Sequence, residues 1–350
     1  MYKRQNIYFL KFYFNFFIAT FAVNCYALDT VGGAGRNEAK EYGMTGDHRP
    51  VLVTGATGFI GSWIVAELAK AGRPVVAADL HPDSMRLDQV LPPEEQNNIR
   101  WVSCDVADTA AVRRLVIETA PGAIIHLAAL QIPACRANPV LCAQVNVVGQ
   151  VNLFEAARDA GIGKIVYTSS AAAKPRGPAN APANLYGVFK KTDEEIARIF
   201  WEEHSISSLG LRPYIVYGVG RDDGETSAIT KAMRAAALGE SYTIPFRTRG
   251  CMEYASEVAD IFCRTTEAAW EGALVSDLTT RTSSIDDVLE AIHACVPEAR
   301  ITAADTVRVA PEIGLDNAVL ESVIGEWPGI SLNEGTRRTI EHYRALAGRS

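Results

Sequence analysis

Tyr186 and Lys190 stand four residues apart in Tyr-Gly-Val-Phe-Lys, some way after the hydroxyl run Thr168-Ser169-Ser170. On a helix, positions four apart share one face, so this spacing places the Lys190 ammonium beside the Tyr186 phenol. A phenol ordinarily ionises near pH ~10 and is a poor base at neutrality; a neighbouring cation brings it towards the working range. Tyr186 is then able to take the proton of a substrate hydroxyl. The same spacing also describes an ordinary amphipathic helix surface, so the reading depends on the motifs around it.

The strongest of these is Thr54–Gly61, TGATGFIG, directly after the apolar run Val51-Leu52-Val53 and directly before a helical pattern. A strand that feeds a glycine-rich turn opening a helix is a dinucleotide site. Gly55 lets the chain turn out of the strand, Gly58 lets the backbone approach a pyrophosphate, and Gly61 lets the helix pack closely. Thr57, Phe59 and Ile60 lie where first-turn N–H groups and the helix dipole attract phosphates. A second apolar strand, Val75-Val76-Ala77-Ala78, ends at Asp79, 18 positions after Gly61. An acid at that distance meets the adenosine ribose diol and repels a 2′-phosphate, which favours NAD over NADP. The competing reading is that Asp79 only ends a strand in a turn.

These groups need a frame, and the chain supplies one by alternating strand and helix patterns. Strands are expected over 99–102, 123–127 and 164–168, with helices over 109–119 and 141–160. The fold class that follows is α/β, a Rossmann-type doubly wound parallel sheet with a smaller C-terminal substrate lobe. The expected division is a leader or extension over 1–48, a mainly NAD-binding domain over 49–226, and a mainly substrate-binding lobe over 227–350. In that last part the pattern gives helices over 230–237, 257–270 and 284–295, the last capped by Ser283 or Ser284, and a short strand over 242–245. His126 falls in an apolar strand, where a satisfied core role is expected. Asp105 has two readings, the adenine edge or the cap of the helix that starts near Thr109. Arg221 and Asp222 open the loop between the lobes, as substrate contacts or as solvated turn residues.

Taken together these motifs resemble the NAD-dependent epimerase/dehydratase family of extended short-chain dehydrogenases/reductases, over roughly residues 50–345. The resemblance rests on TGATGFIG, Asp79, HLAA at His126–Ala129, NVVGQVN at Asn146–Asn152, TSSAA at Thr168–Ala172, YGVFK, and LRPYIVYGVGRDDG at Leu211–Gly224. It implies that Tyr186 is the catalytic acid/base, that Lys190 also holds the nicotinamide ribose, and that Ser170 hydrogen-bonds the reacting oxygen, with Ser169 as the alternative. It also implies that Asp105, Val106, Leu127, Ala128, Ala129 and Asn146 line the NAD pocket. A homodimer formed by the helices 141–160 and 186–203 is implied too, with Ile196 and Phe200 on the outer face of the second.

Two departures narrow the activity. Dehydratases of the family carry an Asp-Glu pair just after the hydroxyl residue, where this chain has Ala171 and Ala172, so dehydration is disfavoured. The arginine that clamps a nucleotide diphosphate is expected before Tyr254-Ala255-Ser256-Glu257-Val258; Arg249 stands one position out of that register. The leading expectation is a sugar or nucleotide-sugar epimerase that keeps NAD bound. The alternatives are a sugar or sugar-acid dehydrogenase that releases NADH, and a non-catalytic NAD sensor, which has no need of an activated phenol.

Composition agrees with an enzyme of small molecules. The 350 residues carry a net charge of -7, which gives no footprint for nucleic acid, and are 48% hydrophobic. The seven cysteines show no C-x-x-C spacing and the six histidines are scattered, so neither a metal site nor a disulfide framework is expected. Residues 1–26 hold ten of the 24 Phe and Tyr residues. Lys3, Arg4 and the following apolar stretch imitate a signal peptide, interrupted by Lys11 and Asn15; the preferred reading is a misassigned start, with Met44 as the beginning. The expectation is therefore a cytoplasmic protein without membrane contact, exported only if 1–27 is a true signal.

Overall fold

The computed structural model describes residues 48–224, 226–308 and 314–348. The expectations for the N-terminal segment 1–47 lie outside these residues. The strands in chain order are β1 Val51–Thr54, β2 Val75–Asp79, β3 Ile99–Ser103, β4 Ala123–His126, β5 Lys164–Thr168, β6 Ser207–Arg212, β7 Ile215–Tyr217, β8 Tyr242–Ile244, β9 Arg249–Gly250, β10 Met252–Tyr254, β11 Ala273–Asp277, β12 Ser283–Ser284 and β13 Ile301–Ala303. The helices are α1 Phe59–Lys70, α2 Thr109–Thr119, α3 Ile132–Ala137, α4 Pro139–Ala143, α5 Gly149–Ala160, α6 Leu185–His204, α7 Ala228–Leu238, α8 Ala255–Glu267, α9 Ile285–Cys295, α10 Ala318–Ile324 and α11 Leu332–Ala347.

Seven parallel strands form the main sheet in the order β11-β6-β5-β4-β1-β2-β3. Chain order reverses between β1 and β4, and ligands of open α/β sheets bind beyond the carboxyl ends at such a switch. Side chains alternate across the sheet: Leu52, Val76, Ile124 and Ile165 face the cluster built with α2 and α5. Val53, Ala77, Ile125 and Val166 face the other cluster, shared with α1, α7 and α8. Both faces are covered, which explains why these strands read as continuous apolar runs.

The sheet draws on more of the chain than the division at 226 implies. β11 completes its edge against β6, although it belongs by sequence to the expected substrate lobe. The three remaining pairs, β7 with β10, β8 with β13 and β9 with β12, are short two-stranded contacts.

Helix ends mostly follow local chemistry. Asp108 caps α2 by accepting from Ala110 and Ala111 N–H groups, so Asp105 is not that cap. Ser284, rather than Ser283, caps α9 in a reciprocal box with Asp287. The expected helix over 141–160 begins earlier, at Pro139, and passes through a π-helical turn, Gln144–Val148, before α5. The preceding α3 is not visible in the pattern because it has only six residues. Asn138 and Pro139 turn the chain between α3 and α4, bringing Cys135 and Cys142 to a Cα separation of 5.1 Å, where they form a disulfide. No disulfide framework is expected from the sequence, and this one bridge corrects that: spacing along the chain does not register a fold-back between two short helices. No helix among the described residues is long and apolar enough to cross a membrane.

Candidate active site

One cavity of about 740 Å³ opens at the carboxyl ends of β1, β2, β4 and β5, lined at one end by Gly55–Gly61 residues and Asp79, and further along by Ser170, Tyr186 and Lys190. At its base the glycine turn is fixed by close packing. Gly55 has φ +69°, and a Cβ there would stand 2.6 Å from Ala128 N; a Cβ on Gly61 would stand 2.2 Å from Gly55 O. Gly61 therefore serves the packing of α1 on its own turn. Gly58 precedes α1 as its N-cap with no side-chain cap, and the first turn carries no acid, so the N–H groups there stay open towards an anion.

Asp79 ends β2 at the cavity wall. Its Oδ2 accepts from Thr57 N at 3.1 Å and its Oδ1 from Leu80 N at 2.8 Å, so the carboxylate also braces the glycine turn. Asp105 lines the cavity, exposed, and accepts from Ala107 N at 2.9 Å. Val106, Leu127, Ala128 and Ala129 line it too. Asn146 does not: its buried amide accepts from Leu130 N at 2.7 Å and donates to Leu130 O at 3.0 Å. Its side chain is spent on holding the wall segment after β4, which a sequence motif does not reveal.

The hydroxyl run after β5 divides its tasks. Ser169 is buried and donates to Glu194 Oε1 at 2.6 Å. Ser170 caps the short turn Ala171–Ala173 by accepting from Ala172 N at 3.1 Å, which leaves its own O–H free to donate into the cavity. Ala171 and Ala172 give that wall an apolar surface. Asn184 caps α6 through Gly187 N. A Cβ on Gly187 would stand 2.3 Å from Ala172 O, so the glycine after Tyr186 lets the first turn of α6 seat on the turn that Ser170 caps. That contact brings Tyr186 and Ser170 into one cavity.

Lys190, one turn on, is buried, and its ammonium lies 3.3 Å from Asp193 Oδ2. Burial raises the Asp193 carboxyl to about 6, with Lys190 pulling it down. His126 is buried and hydrogen-bonded to Thr54 Oγ1 at 2.7 Å. Burial, then the charge of Lys190, lowers its ring to about 3, so His126 stays neutral. His126 is the satisfied core residue its strand predicts.

The cavity is lined as well by Arg136, Arg176, Arg221 and Arg308, with Gln131, Tyr214, Thr226 and Thr248. The acids in the lining, Asp79, Asp83 and Asp105, all belong to the β2 and β3 ends. Arg308 lies over the Phe246 ring at 5.6 Å. Arg249 is exposed on β9, donates to Thr282 Oγ1 at 3.3 Å and does not line the cavity. The sequence singles out Arg249 because it precedes the Tyr254 segment; β9 pairs with β12, and it is the preceding Thr248 that lines the cavity. Arg176 and Arg308 escape sequence reasoning because one sits in an irregular loop and the other in the least periodic part of the chain. Among the described residues no group of His, Cys, Asp and Glu is placed to hold a metal ion.

The chain is 31% identical over 313 residues to a UDP-glucose 4-epimerase of Mycolicibacterium smegmatis, covering 84% of this chain and 98% of that one. A UDP-glucuronate 4-epimerase of Arabidopsis thaliana is 33% identical over 191 residues, 49% of this chain and 44% of that protein. Among solved structures, Thermus thermophilus UDP-glucose 4-epimerase in complex with NAD aligns with a TM-score of 0.68 at 24% identity, over 84% of this chain and 99% of that one. An L-threonine dehydrogenase of Clostridium difficile aligns at 0.73 and 18% identity, over 87% and 99%. At these identities the structural likeness speaks for the fold alone. The sequence match over residues 51–268 decides the family: the chain belongs to the NAD dependent epimerase/dehydratase family.

Proposed function

We propose that this chain is an NAD-dependent epimerase of a nucleotide-linked sugar, acting at a carbinol carbon. The observation that carries the reading is the meeting of Ser170, Tyr186 and Lys190 in the cavity that also holds the uncapped glycine turn and Asp79. NAD fits these residues: the open N-terminus of α1 takes its phosphates and Asp79 its adenosine ribose. When bound, it supplies a reversible hydride acceptor. Tyr186 Oη takes the proton from the substrate hydroxyl and later returns it. Lys190 keeps a positive charge behind that oxygen, and Ser170 donates a hydrogen bond to it. Ala171 and Ala172 offer no second acid or base, so loss of water gains no help, whereas epimerisation needs none. Arg176 and Arg308 supply the cationic grip for a diphosphate that Arg249 does not.

The test is to incubate purified protein with NAD and a panel of nucleotide sugars, following NADH absorbance and product stereochemistry. Epimers without net NADH are expected. Stoichiometric NADH with no epimer would replace this reading with a dehydrogenase of a sugar or sugar acid, which the same Ser170, Tyr186 and Lys190 also serve.

A cytoplasmic location is part of the reading, because the activity draws on a cytosolic NAD pool. So is a homodimer through α5 and α6. Phe200 packs inward against Phe154, with ring centroids 5.1 Å apart, and Ile196 is half-buried, so the apolar groups offered to a partner are Val148, Val188 and Ile199. Sedimentation showing only monomer at micromolar concentration would remove the dimer.

A further inference from the structure

The loop Gly218–Gly224, which leaves β7, is tied to the NAD-binding end of the sheet at three points. Trp63 of α1 donates its indole N–H to Val219 O at 2.9 Å. Arg86 donates to Thr57 O, inside the glycine turn, at 3.1 Å, and its Nε lies 3.6 Å from Asp222 Oδ2. The Arg221 guanidinium lies over the ring of Phe59, the first residue of α1, at 5.5 Å.

Arg221 is the group these ties hold in place. Among the described residues it has no carboxylate partner; its one hydrogen bond reaches Thr226 Oγ1 at a long 3.5 Å, and its Nε is buried without a partner. The guanidinium lines the cavity. Burial lowers its hold on the proton, Tyr186, Asp223 and Asp222 act against that, and neighbouring Arg86 adds to it. Of the two nearby acids, Asp222 is engaged by Arg86, and Asp223 makes no ion pair with Arg221 among the described residues. Gly224 leaves room for the guanidinium, since a Cβ there would lie 2.9 Å from Arg221 Nη2. A half-buried cation with no acid in direct contact favours an anion that completes it. Its ring partner Phe59 opens the uncapped first turn of α1, the place where phosphates are expected.

We propose that Arg221 is a second cationic contact of the cofactor diphosphate, beside the N-terminus of α1, and that the Arg86–Asp222 pair fastens it there so that NAD stays bound between turnovers. A planar guanidinium suits two phosphate oxygens better than a point charge does. A fastened diphosphate serves an epimerase, which never needs to release its cofactor, and works against a dehydrogenase, which must. The inference rests on NAD being the resident cofactor, and wild-type protein tests that premise by itself.

The experiment measures binding of NAD, ADP, adenosine and UDP to cofactor-stripped wild type, Arg221→Ala, Arg221→Gln and Asp222→Asn by calorimetry, and the retention of NAD through gel filtration. Loss of Arg221 should weaken NAD and ADP about tenfold or more, the weight of one charge-assisted contact. Adenosine affinity should stay within about twofold, which also shows that the site is folded. Asp222→Asn should shed NAD faster on the column than wild type. NAD and ADP binding unchanged in both Arg221 variants would overturn the proposal, as would a loss confined to UDP, which would assign Arg221 to the substrate. Failure of wild type to bind NAD at all would instead remove the cofactor reading.

Discussion

Arg212 on β6 and Glu194 on α6 form a two-pronged ion pair, with Nε to Oε1 and Nη2 to Oε2 both at 2.7 Å. Oε1 of the same carboxylate accepts the Ser169 hydroxyl at 2.6 Å. One carboxylate thus joins the helix that carries Tyr186 and Lys190 to the strand end that carries Ser170. Glu194→Ala should strand a largely buried guanidinium and destabilise the fold by about 3–5 kcal/mol. Replacing both partners with apolar residues, Glu194→Leu with Arg212→Met, should cost less than Glu194→Ala alone. Urea unfolding of the three variants checks this; a double variant weaker than the single one would deny that an unpaired charge is the cause.

Tyr186→Phe removes the transferable proton and little volume. Turnover should fall about a hundredfold or more while NAD affinity stays near wild type. Lys190→Ala should lower both if, as proposed, its buried ammonium serves the cofactor as well as the phenol. Ser170→Ala should chiefly lower rate. Rate and NAD titrations separate the three, and a Tyr186→Phe enzyme within a few-fold of wild type would make Tyr186 a mere helix surface residue.

On the role proposed for Asp79, Asp79→Ser should weaken NAD and relax discrimination against NADP, by removing an acceptor for the ribose diol and a charge that repels a 2′-phosphate. The structure adds a second consequence. Asp79 Oδ2 holds Thr57 N, so the glycine turn should loosen and ADP, which carries the same ribose and diphosphate, should weaken along with NAD. Fluorescence titrations with NAD, NADP and ADP would show it; a wild-type preference for NADP would refute the role given to Asp79.

What the sequence reveals follows from where the physics is local. The glycine turn, Asp79, the Tyr186–Lys190 spacing and the alternation of strands and helices over 99–168 are legible because each depends on neighbours a few residues away. Arg249 misleads for the opposite reason: whether an arginine reaches the cavity depends on the pairing of β9 with β12, which spans more than thirty positions of sequence, roughly, and leaves no local mark. Asn146 has the right place in its motif, yet its amide is committed to Leu130, a contact set by the π-helical turn. Arg308 and Arg176, which complete the cavity, lie in irregular segments where no periodicity points to them.

Glu253 on β10 sets an expected pH dependence. It is buried, and its Oε2 accepts from Tyr214 N at 2.9 Å, directly behind a residue that lines the cavity. Burial raises its carboxyl from 4.5 to about 8, opposed by the Tyr214 hydrogen bond and reinforced by Glu257 and Asp277, with Arg281 also opposing. Between these two values the folded chain keeps a proton that the unfolded chain gives up. Stability therefore falls as pH rises through the window, by up to about 1.4 kcal/mol per pH unit from this group, and the contribution is flat below and above it. His126 acts in the other sense. Its ring is lowered from 6.5 to about 3, so the unfolded chain takes a proton that the folded chain refuses, and stability falls as pH drops through that range. Glu253→Gln fixes the neutral form and keeps an acceptor for Tyr214 N, while leaving His126 unchanged. The unfolding free energy of Glu253→Gln minus that of wild type should accordingly be near its minimum around pH ~5 and grow steadily towards pH ~8. Urea unfolding of both proteins across that range is the measurement. Parallel curves would mean that Glu253 is ionised in the folded protein and that burial at β10 does not hold its proton.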